Sequence, residues 1–586
     1  MTASDWHLSF GANLVERNRT RFRLWAPAQH TVSLAIESRA PTAMTRNDEG
    51  WFEAEVNCGA GTHYHYVLEN GLPVPDPAAR AQSGDVHGES IVVDPASYRW
   101  RRPEWRGRPW REAAFYELNV GALGGFEGVA CEVPRLALLG ITAIELMPIA
   151  EFPGARNWGY DGVLLFAPEC SYGSPDQLKS LVDKAHEHGL MIFLDVVYNH
   201  FGPDGNYIHL YAPQMFRDDV TTPWGPAVDF RRQEVRRFFA ENMLHWLIDY
   251  RFDGLRLDAV HAIPDREWLG AMAAEVRRTI EPSRAIHLVL ENDANTASYL
   301  TQGFDAQWND DGHHALHVLL TGERDGYYAD YADTPAARLA RCLKDGFIYQ
   351  GEPSSYRNSK PRGTDSTHLP PTSFVLFLQN HDQIGNRACG ERLTALARRE
   401  ALEAAIALQL LCPQIPLIFM GEERASTSPF LFFTDHNPEL AQAVREGRRR
   451  EFAHFAKFSD QQLLAQIPDP NALETFERSR PATHPVHAGR REELYRQLLT
   501  LRRAEIVTRL DAARALDAHA VGAAAVFARW RMGDGSTLVL ASNLGAQPAR
   551  IPPQDHSLLF ATSEAAGRAV QTGRLKPYST VVLLGS

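Results

Sequence analysis

Two opposite charges lie two residues apart in an otherwise mostly apolar stretch, FDGLRLDAVHAI, at positions 252–263. The stretch has the pattern of a buried strand, and it contains Arg256, Asp258 and His261. Because residues two apart on a strand face the same way, Arg256 and Asp258 can pair, which offsets the cost of burying either charge. In a purely structural role they would form an ion pair. In a catalytic role Asp258 would be a nucleophile that the charge of Arg256 keeps ionised.

A second carboxylate, Glu291, follows another strongly apolar run, AIHLVL. Burial there is expected to raise the pKa of Glu291, so that the side chain holds a proton for donation to a leaving oxygen. An ionised nucleophile and a protonated acid are the two groups that retaining cleavage of a glycosidic bond requires. The pair therefore predicts glycoside hydrolysis, with Asp258 as the nucleophile and Glu291 as the acid/base.

Polar side chains follow two further apolar runs, and each has a structural alternative. His200 and His381 could be hydrogen-bonded core histidines. Asp195 could be a hydrogen-bonded strand end, and Asp382 could be the N-cap of the next helix. The tryptophans near these runs are packing residues by default: Trp158, Trp224 and Trp308. Four strands ending in polar groups nevertheless favour one functional face over four separate structural roles.

Eight short apolar runs alternate with helical stretches from about residue 110 onward. Such alternation predicts parallel βαβ units, and eight strands suit a closed (β/α)8 TIM barrel, an α/β fold whose active site lies at the carboxyl ends of the strands. A doubly wound open sheet is the alternative, but no GxGxxG follows the first strand. The predicted strand regions are 113–120, 141–149, 190–200, 252–260, 285–293, 304–310, 372–382 and 415–423.

The two ends of the chain have a different pattern, with alternating apolar and polar residues between turn signals. This pattern is typical of short, half-buried strands. We expect an N-terminal β-sandwich at 1–100 that is similar to a carbohydrate-binding module, the catalytic barrel at 101–510, and a C-terminal β domain at 511–586.

Composition narrows the class of partner. The chain has 586 residues and a formal net charge of −12, which argues against nucleic acid or an anionic membrane surface as the main partner. It has no apolar run long enough for a transmembrane helix, and its first residues lack a signal-peptide pattern. The six cysteines include no CxxC pair, which predicts free thiols in the cytoplasm and no zinc site.

Four stretches resemble the signature regions of the α-amylase superfamily of retaining glycoside hydrolases: DVVYNH at 195–200, GLRLDAVHAI at 254–263, LEND at 290–293 and QNHDQIGNR at 379–387. The segment NWGYDG at 157–162 also fits that superfamily. The resemblance implies that Asp258 is the nucleophile, Glu291 the acid/base, and Asp382 a third catalytic carboxylate that stabilises the transition state. It further implies a set of substrate-binding residues: Tyr160, Asp195, His200, Arg256, His261, Asn380 and His381.

The same resemblance raises the question of calcium, because many amylases bind this ion through the asparagine that matches Asn199. Calcium needs six to eight oxygen ligands. The segment between the third and fourth strands is short and contains no ligand cluster. We therefore predict that the protein requires no metal and no other cofactor.

Other stretches resemble one subfamily, the maltooligosyltrehalose trehalohydrolases: DAQWNDDGHHALHVLLTGERDGYYADYAD, GFIYQGEPS and FMGEERASTSPFLFFTDH. The resemblance implies hydrolysis of the α-1,4 bond next to the terminal trehalose of a maltooligosyltrehalose, and a metabolic pairing with the synthase that makes this substrate. A branching or debranching enzyme and a non-catalytic glucan-binding protein are the alternatives. The N-terminal domain could bind glucan, but a spacer that shapes the cleft is the favoured interpretation.

Two positions depart from the subfamily pattern. Asn119 replaces a histidine in YELHVGTF, and the loop after it looks shortened, which puts a sugar contact from this loop in question. Gly312 replaces the aromatic residue of WNDDFHH. Its loss could weaken a hydrophobic or stacking contact, or could loosen a turn.

Overall fold

The computed structural model describes residues 8–452, 464, 466–484 and 486–585. A closed eight-stranded parallel barrel forms its centre, with antiparallel sheets before and after it along the chain. The predicted fold class is confirmed. None of the helices among the described residues is long and apolar enough to cross a membrane.

The N-terminal region consists of two antiparallel sheets, with strand orders β1-β2-β6-β5 and β4-β3-β7-β10-β9, and β8 beside β7. Strand β2 alternates buried and partly exposed residues, as the sequence pattern predicts for a half-buried strand. The region packs on the barrel: the Ser9 backbone N–H donates to Glu241 Oε2 at 2.7 Å. The strands are β1 Gly11–Glu16, β2 Arg19–Trp25, β3 Val32–Ile36, β4 Thr42–Ala43, β5 Thr45–Arg46, β6 Trp51–Val56, β7 His63–Leu68, β8 Pro73–Val74, β9 Gln82–Ser83 and β10 Glu89–Ile91.

Each of the eight predicted strand regions contains one strand of the barrel, and the barrel closes where β24 pairs with β11. The barrel strands are β11 Phe115–Leu118, β12 Ala143–Leu146, β15 Met191–Val196, β18 Gly254–Leu257, β19 His287–Leu290, β20 Ala306–Trp308, β23 Phe374–Phe377 and β24 Ile415–Phe419. Three two-stranded ribbons interrupt the alternation: β13 Ala150–Glu151 with β14 Leu164–Pro168, β16 Phe216–Thr222 with β17 Gly225–Val228, and β21 Pro353–Ser354 with β22 Lys360–Pro361.

Helices surround the barrel and follow its strands. The helix after β14 starts with a capping box, in which the Ser174 hydroxyl accepts from the Gln177 backbone N–H. The helices are α1 Gly125–Leu139, α2 Pro175–Glu187, α3 Ile208–Tyr211, α4 Gln233–Leu244, α5 Glu267–Thr279, α6 Asp310–Thr321, α7 Pro335–Asp345, α8 His381–Gly385, α9 Leu393–Leu396, α10 Arg399–Leu411, α11 Pro438–Phe452, α12 Leu473–Arg478, α13 Ala488–Leu501 and α14 Glu564–Val570.

The C-terminal region forms a five-stranded antiparallel sheet in the order β25-β26-β27-β31-β29, with a short β28–β30 ribbon. It docks on the barrel helices: Trp530 Nε1 donates to the Leu343 carbonyl at 3.2 Å, and the Thr580 hydroxyl donates to the Ala404 carbonyl at 2.7 Å. The strands are β25 Arg514–Gly522, β26 Ala525–Arg531, β27 Thr537–Asn543, β28 Ala549–Arg550, β29 Ser557–Ala561, β30 Arg574–Leu575 and β31 Ser579–Gly585.

The barrel interior changes character along the strands. Near the amino ends of several strands it is filled by a buried apolar cluster that includes Phe115, Phe193 and Val375. Two residues further along their strands, Glu117 and Asp195 point the same way, because side chains alternate along a strand. Gly254 allows β18 to pass close to its neighbours, since a Cβ there would lie 2.1 Å from the Phe193 ring. The packed lower layer thus supports a polar upper layer.

Candidate active site

Arg256 is the centre of the polar layer. It is fully buried, and its guanidinium lies over the Trp308 ring, with Cζ 4.1 Å from the ring centroid. Nη1 donates to Asp195 Oδ2 at 2.7 Å and to Asp258 Oδ1 at 2.8 Å, and Nη2 donates to Glu291 Oε2 at 2.8 Å. One positive charge thus faces three carboxylates from adjacent strands. The ion pair expected between Arg256 and Asp258 is present, as part of a larger cluster.

The backbone at the end of β18 brings the two catalytic carboxyls together. Asp258 is the first residue after the strand, and the Ala259 backbone that follows is left-handed, with φ of +39°. This turn directs the Ala259 N–H at Glu291 Oε2, at 2.9 Å. Asn199 Nδ2 lies 3.5 Å from the other side of Asp258, at Oδ2. Asp258 and Glu291 therefore share one guanidinium but have different second partners.

The pKa directions of this pair are opposite to the expected ones. Burial and the nearby charge of Glu291 raise the pKa of Asp258 well above its usual range, although Arg256 opposes this. Burial also opposes ionisation of Glu291, but Arg256, His261 and the Ala259 N–H outweigh it and lower the pKa of Glu291. Arg256 thus favours ionisation of both carboxyls, and the expected rise in the pKa of Glu291 is not found, because Arg256, His261 and the Ala259 N–H all act on that carboxyl.

Tyr160 connects Arg256's cluster to a histidine. The Tyr160 hydroxyl donates to Asp195 Oδ2 at 2.5 Å and lies 2.8 Å from His381 Nε2, and the two rings stack with centroids 5.1 Å apart. His381 Nδ1 contacts the buried Glu117 carboxylate. With the hydroxyl proton directed to Asp195, both ring nitrogens of His381 face acceptors. Burial lowers the pKa of His381, but Asp382 and Glu117 outweigh it and raise that pKa to about 9.

His200 is held by amide and backbone groups. Nδ1 lies 2.7 Å from Asn199 Oδ1, and Nε2 lies 3.0 Å from the Tyr160 carbonyl. Burial lowers the pKa of His200. Trp224, at the tip of the β16–β17 ribbon, stacks on the ring at 4.8 Å and remains 49% exposed. Trp224 therefore packs on His200, as the default interpretation expects, but about half of its side chain remains exposed.

Two other tryptophans follow the default interpretation. Trp158 is 3% exposed and stacks on Phe430. Trp308 is 1% exposed beneath Arg256, although its edge also lines the cleft described below. Packing is therefore confirmed for both.

Asp382 stands in the first turn of α8 and does not cap it. The cap is Asn380, whose Oδ1 accepts from the Gln383 N–H at 2.9 Å, so the N-cap alternative for Asp382 is wrong. Asp382 Oδ1 accepts from Asn386 Nδ2 at 3.1 Å and lies 3.5 Å from His381 Nε2. Burial raises the pKa of Asp382, and His381 partly offsets this. A direct substrate contact from Asn380 stays a prediction.

His261 lies on a short turn after β18, at the rim of the site. Its Nδ1 accepts from the Asp293 backbone N–H at 3.2 Å, so in the neutral ring the proton is on Nε2. Burial lowers the pKa of His261 and favours that neutral form. The ring lines the cleft with Nε2 available as a donor.

A cleft of about 290 Å³ opens beside Glu291 and Asp382. Aromatic, charged and amide side chains line it from the loops after β18, β19, β20 and β23. Sequence reasoning named three of them, His261, Glu291 and Asp382, as site residues and missed the site role of the others. The lining residues are His261, Glu291, Asp293, Trp308, Asp310, His314, Tyr327, Asp330, Tyr331, Tyr356, Arg357, Arg362, Asp382, Gln383 and Asn386.

Glu117 and Glu145 were also missed by sequence reasoning. They are register neighbours on β11 and β12, and both are 1% exposed. Within the described residues no donor reaches either carboxyl oxygen of Glu145, and burial together with Glu117 raises the pKa of Glu145 well above its usual range. Burial therefore favours the neutral form of Glu145, beside the Glu117–His381 pair. A glutamate in an otherwise apolar strand was the sequence signal for each.

Asn119 and Gly312, the two positions that depart from the subfamily pattern, both have structural roles. Asn119 is 1% exposed; its Oδ1 accepts from the Ala122 N–H at 2.9 Å, and Nδ2 donates to the Asn157 carbonyl at 3.3 Å. Gly312 is buried in α6, where a Cβ would lie 2.6 Å from Leu376 Cδ1 and 3.0 Å from Cys342 Sγ. Neither residue lines the cleft. Gly312 therefore affects the packing of α6. It lies neither at a stacking contact in the cleft nor in a turn.

Two groups of side chains among the described residues lie close enough to share a metal ion: Glu37, His63 and Glu89, and Glu151, Glu169 and Cys170. Neither group includes Asn199, whose amide lies between His200 and Asp258. The absence of a metal requirement stays a prediction.

Known proteins resemble this chain along nearly its whole length. Residues 111–212 match the family described as the alpha amylase catalytic domain, and residues 513–582 match a domain of unknown function, DUF3459. The malto-oligosyltrehalose trehalohydrolase of Rhizobium sp. (strain M-11) is 39% identical, covering 96% of this chain and 97% of its own. That of Deinococcus radiodurans is 42% identical, covering 83% and 82%. The chain belongs to the malto-oligosyltrehalose trehalohydrolase family.

Solved structures agree with this family membership. A crystal structure titled as a putative alpha amylase from Salmonella typhimurium superposes with a TM-score of 0.93 at 43% identity, covering 99% of this chain and all of that one. A pullulanase from Anoxybacillus sp. LM18-11 superposes with a TM-score of 0.71 at 18% identity, covering 99% of this chain and 87% of that one. The second likeness concerns the fold alone.

Proposed function

We propose that this member of the trehalohydrolase family hydrolyses the α-1,4-glucosidic bond next to the terminal trehalose of a maltooligosyltrehalose. The products are trehalose and a shorter maltooligosaccharide. The observation that carries the proposal is the pair of carboxyls, Asp258 and Glu291, on one guanidinium at the carboxyl ends of adjacent barrel strands. Family membership gives the substrate class.

The reaction is a double displacement. Glu291 protonates the glycosidic oxygen while Asp258 attacks the anomeric carbon, which forms a covalent glycosyl-enzyme and frees the leaving sugar. Glu291, now ionised, then removes a proton from water, which attacks the same carbon and releases Asp258. Two inversions leave the α configuration retained. Asp382 stabilises the positive charge that develops on the sugar ring, by its own negative charge and by accepting from hydroxyls.

The first step needs Glu291 protonated and Asp258 ionised, and substrate contacts favour both states. Sugar hydroxyls that donate to Asp258 favour its ionised form, which burial and the charge of Glu291 oppose. A glycosidic oxygen beside Glu291 gives the proton of that carboxyl an acceptor, whereas Arg256 and the Ala259 N–H favour its ionised form.

The other candidate residues divide into contact and support. Tyr160, His200 and His381 would contact the glucose that becomes attached to Asp258, with Tyr160 stacking on its apolar face. Asp195 and Arg256 lie beneath them, hydrogen-bonded to each other, and would act mainly by holding Tyr160 and Asp258 in place. His261 Nε2 would donate to a sugar in the cleft.

The domain boundaries and the cellular setting are further parts of the proposal. We assign 1–100 to an N-terminal domain that shapes the cleft without binding sugar itself, 101–510 to the catalytic barrel and 511–586 to the C-terminal β domain. The partner enzyme in metabolism is the synthase that makes maltooligosyltrehalose. None of the six cysteines, all of which lie in the described residues, forms a disulfide bond, which supports a reducing cytoplasm. Nucleic acid and membranes are not partners, and no metal or cofactor takes part.

The test is a product analysis with three substrates. Purified protein is incubated with maltotriosyltrehalose, maltopentaose and glycogen, and the products are separated by chromatography, with Asp258→Asn as the inactive control. Release of trehalose with little attack on maltopentaose or glycogen is the expected result. Altered iodine staining of glycogen without release of trehalose would instead indicate a branching or debranching enzyme. Binding of glucans without turnover would indicate a non-catalytic protein.

A further inference from the structure

Two adjacent carboxylates at the start of α6 have opposite surroundings. Asp311 is fully buried, and donors surround both of its oxygens. Asp310 is half-buried, and within the described ranges no donor lies at hydrogen-bonding distance from its carboxyl group. The donors to Asp311 are Asn295 Nδ2, the Ile348 and Tyr349 N–H groups, Arg362 Nη1 and the Tyr331 hydroxyl, at 2.5–3.1 Å. Asp311 thus has a structural role, whereas the Asp310 carboxyl remains available to bind a ligand.

The Asp310 side chain lines the active-site cleft together with Glu291 and Asp382. Burial and those two charges raise the pKa of Asp310 to about 8. Below that pH the carboxyl is neutral, so it can donate one hydrogen bond and accept others. A ligand that supplies hydroxyls would give this carboxyl the hydrogen-bond partners that the described residues do not.

The rest of the cleft fits a sugar. Trp308, Tyr327 and Tyr356 line it with aromatic rings, and Tyr356 is 56% exposed. Aromatic faces pack on the apolar face of a sugar ring, while a carboxyl with free lone pairs binds the hydroxyls at its edge. This combination of rings and an unpaired carboxyl is the chemistry that recognises a neutral polyol.

The position of the cleft indicates which sugar it holds. Tyr160 and His200, which would contact the glucose attached to Asp258, follow β12 and β15 and do not line the cleft. The cleft is lined from the loops after β18, β19, β20 and β23, and Glu291 stands at its border. Because Glu291 protonates the leaving oxygen, the sugar next to it on the cleft side belongs to the leaving group.

We propose that Asp310 binds hydroxyl groups of the leaving sugar, and so selects for a trehalose unit on that side of the scissile bond. The proposal rests on the proposed function, whose leaving group is trehalose. The contact between Asp310 and the leaving sugar helps both to bind the substrate and to place its glycosidic oxygen at Glu291.

The experiment compares two substrates that differ in the leaving group. Maltotriosyltrehalose carries a sugar there, whereas 4-nitrophenyl α-maltotrioside carries only a nitrophenol. Asp310→Ala is expected to lower kcat/KM for maltotriosyltrehalose about tenfold to a hundredfold, the loss typical of a hydrogen bond to an ionisable group, and to change it less than about twofold for the nitrophenyl substrate. Inhibition by added trehalose should weaken by a similar factor.

Two further variants separate binding from folding. Asp310→Asn keeps the shape and much of the hydrogen-bonding capacity of a neutral carboxyl, so it should recover part of the loss. Glu267→Gln is the matched control, because Glu267 is also the first residue of a barrel helix but is exposed and outside the cleft. It removes a favourable charge from a helix N-terminus without touching the site, and should leave both activities unchanged.

The outcomes distinguish this inference from the proposed function. Equal losses on both substrates, or no loss on either, together with normal trehalose release by the unmodified enzyme, would overturn the role of Asp310 alone. Failure of the unmodified enzyme to release trehalose would contradict the proposed function, and the assignment of trehalose to Asp310 with it. Unchanged inhibition by trehalose in Asp310→Ala would also overturn the assignment.

Discussion

The lower and upper halves of the barrel interior use the same strands for opposite purposes. Phe115 and Phe193 fill the lower half in a buried apolar cluster. Two residues further along the same strands, Glu117 and Asp195 contribute charge to the upper half. Arg256 and His381 make this possible. Arg256 contacts three carboxylates that belong to its own strand and the two neighbouring ones, and His381 contacts Glu117. Residues that stabilise the barrel and residues that can do chemistry therefore lie only two positions apart on the same strands. Arg256 and His381 supply the counter-charges that allow the second group to be buried.

The largest effect is expected from the nucleophile in the upper half. Asp258→Asn should lower kcat at least about a thousandfold, because the covalent intermediate can no longer form. Folding should be unaffected or improved, since a neutral amide replaces a carboxyl whose pKa burial has raised. Steady-state kinetics and a thermal melt would measure both. Near-normal turnover by this variant would contradict the assignment of Asp258.

Removal of the Arg256 counter-charge should lower both the stability and the activity of the protein. Arg256→Met leaves Asp195, Asp258 and Glu291 without their shared guanidinium, which should cost about 3–5 kcal/mol of unfolding free energy and abolish activity. Adding Asp258→Asn to this variant should recover part of the stability and none of the activity. Denaturant unfolding of the single and double variants checks this. Additive losses in the double variant would show that the two residues are not coupled.

A cavity in the lower half should cost stability alone. Met191 is fully buried in the apolar cluster. Met191→Ala should lower the unfolding free energy by about 2–5 kcal/mol, through lost burial and an unfilled cavity. Activity at a temperature well below the transition should stay within a few fold of the parent. A large loss of kcat with little loss of stability would show that the two halves are not separate.

The Glu117–His381 pair should make stability depend on pH. The pKa of His381 is raised to about 9 in the folded protein, above its usual value of 6.5, so the charged ring stabilises the fold fully below about pH 6.5. That contribution is lost as pH rises through about 9. Denaturation midpoints at pH 6, 8 and 10 should therefore fall more steeply for the parent than for His381→Gln. Parallel curves would mean that His381 is neutral in the folded state.

The smallest effect is expected at Gly312, where α6 packs against the barrel. Gly312→Ala should cost about 1 kcal/mol, because the strain of a Cβ 2.6 Å from Leu376 Cδ1 exceeds the gain in helix propensity. Activity should not change, since Gly312 does not line the cleft. Denaturant unfolding and kinetics of the variant test this. A change in the ratio of activities on maltotriosyltrehalose and maltopentaose would instead place Gly312 at the sugar site.

Much of this architecture could be predicted from local patterns. The eight barrel strands lie in the eight apolar runs, and the carboxyl ends of β15, β18, β19 and β23 carry the candidate residues. Strand alternation was sufficient to place Arg256 and Asp258 on one face. Capping by Asp382 was wrong, and the exposure of Trp224 was not predicted, because both depend on which neighbours the loops supply.

What could not be predicted depends on long-range partners. Asp310 and Asp311 have the same local signature of acids in the first turn of a helix. Donors from Asn295, Tyr331, Arg362 and the backbone after α7 reach Asp311 and distinguish the two. The pKa directions of Asp258 and Glu291 were likewise not predicted, because they depend on how Arg256, His261 and the Ala259 N–H are placed around the two carboxyls.

Trapping of the covalent intermediate tests most directly whether Asp258 is the nucleophile. A 5-fluoro-α-maltosyl fluoride, which slows the breakdown of a glycosyl-enzyme, is incubated with the protein; after proteolysis, mass spectrometry locates the added sugar. We expect one labelled peptide in the parent protein, containing residues 254–263, with the sugar on Asp258. The Asp258→Asn variant should carry no label. A label on Glu291 or Asp382, or release of the product with inverted configuration and no label, would contradict this assignment.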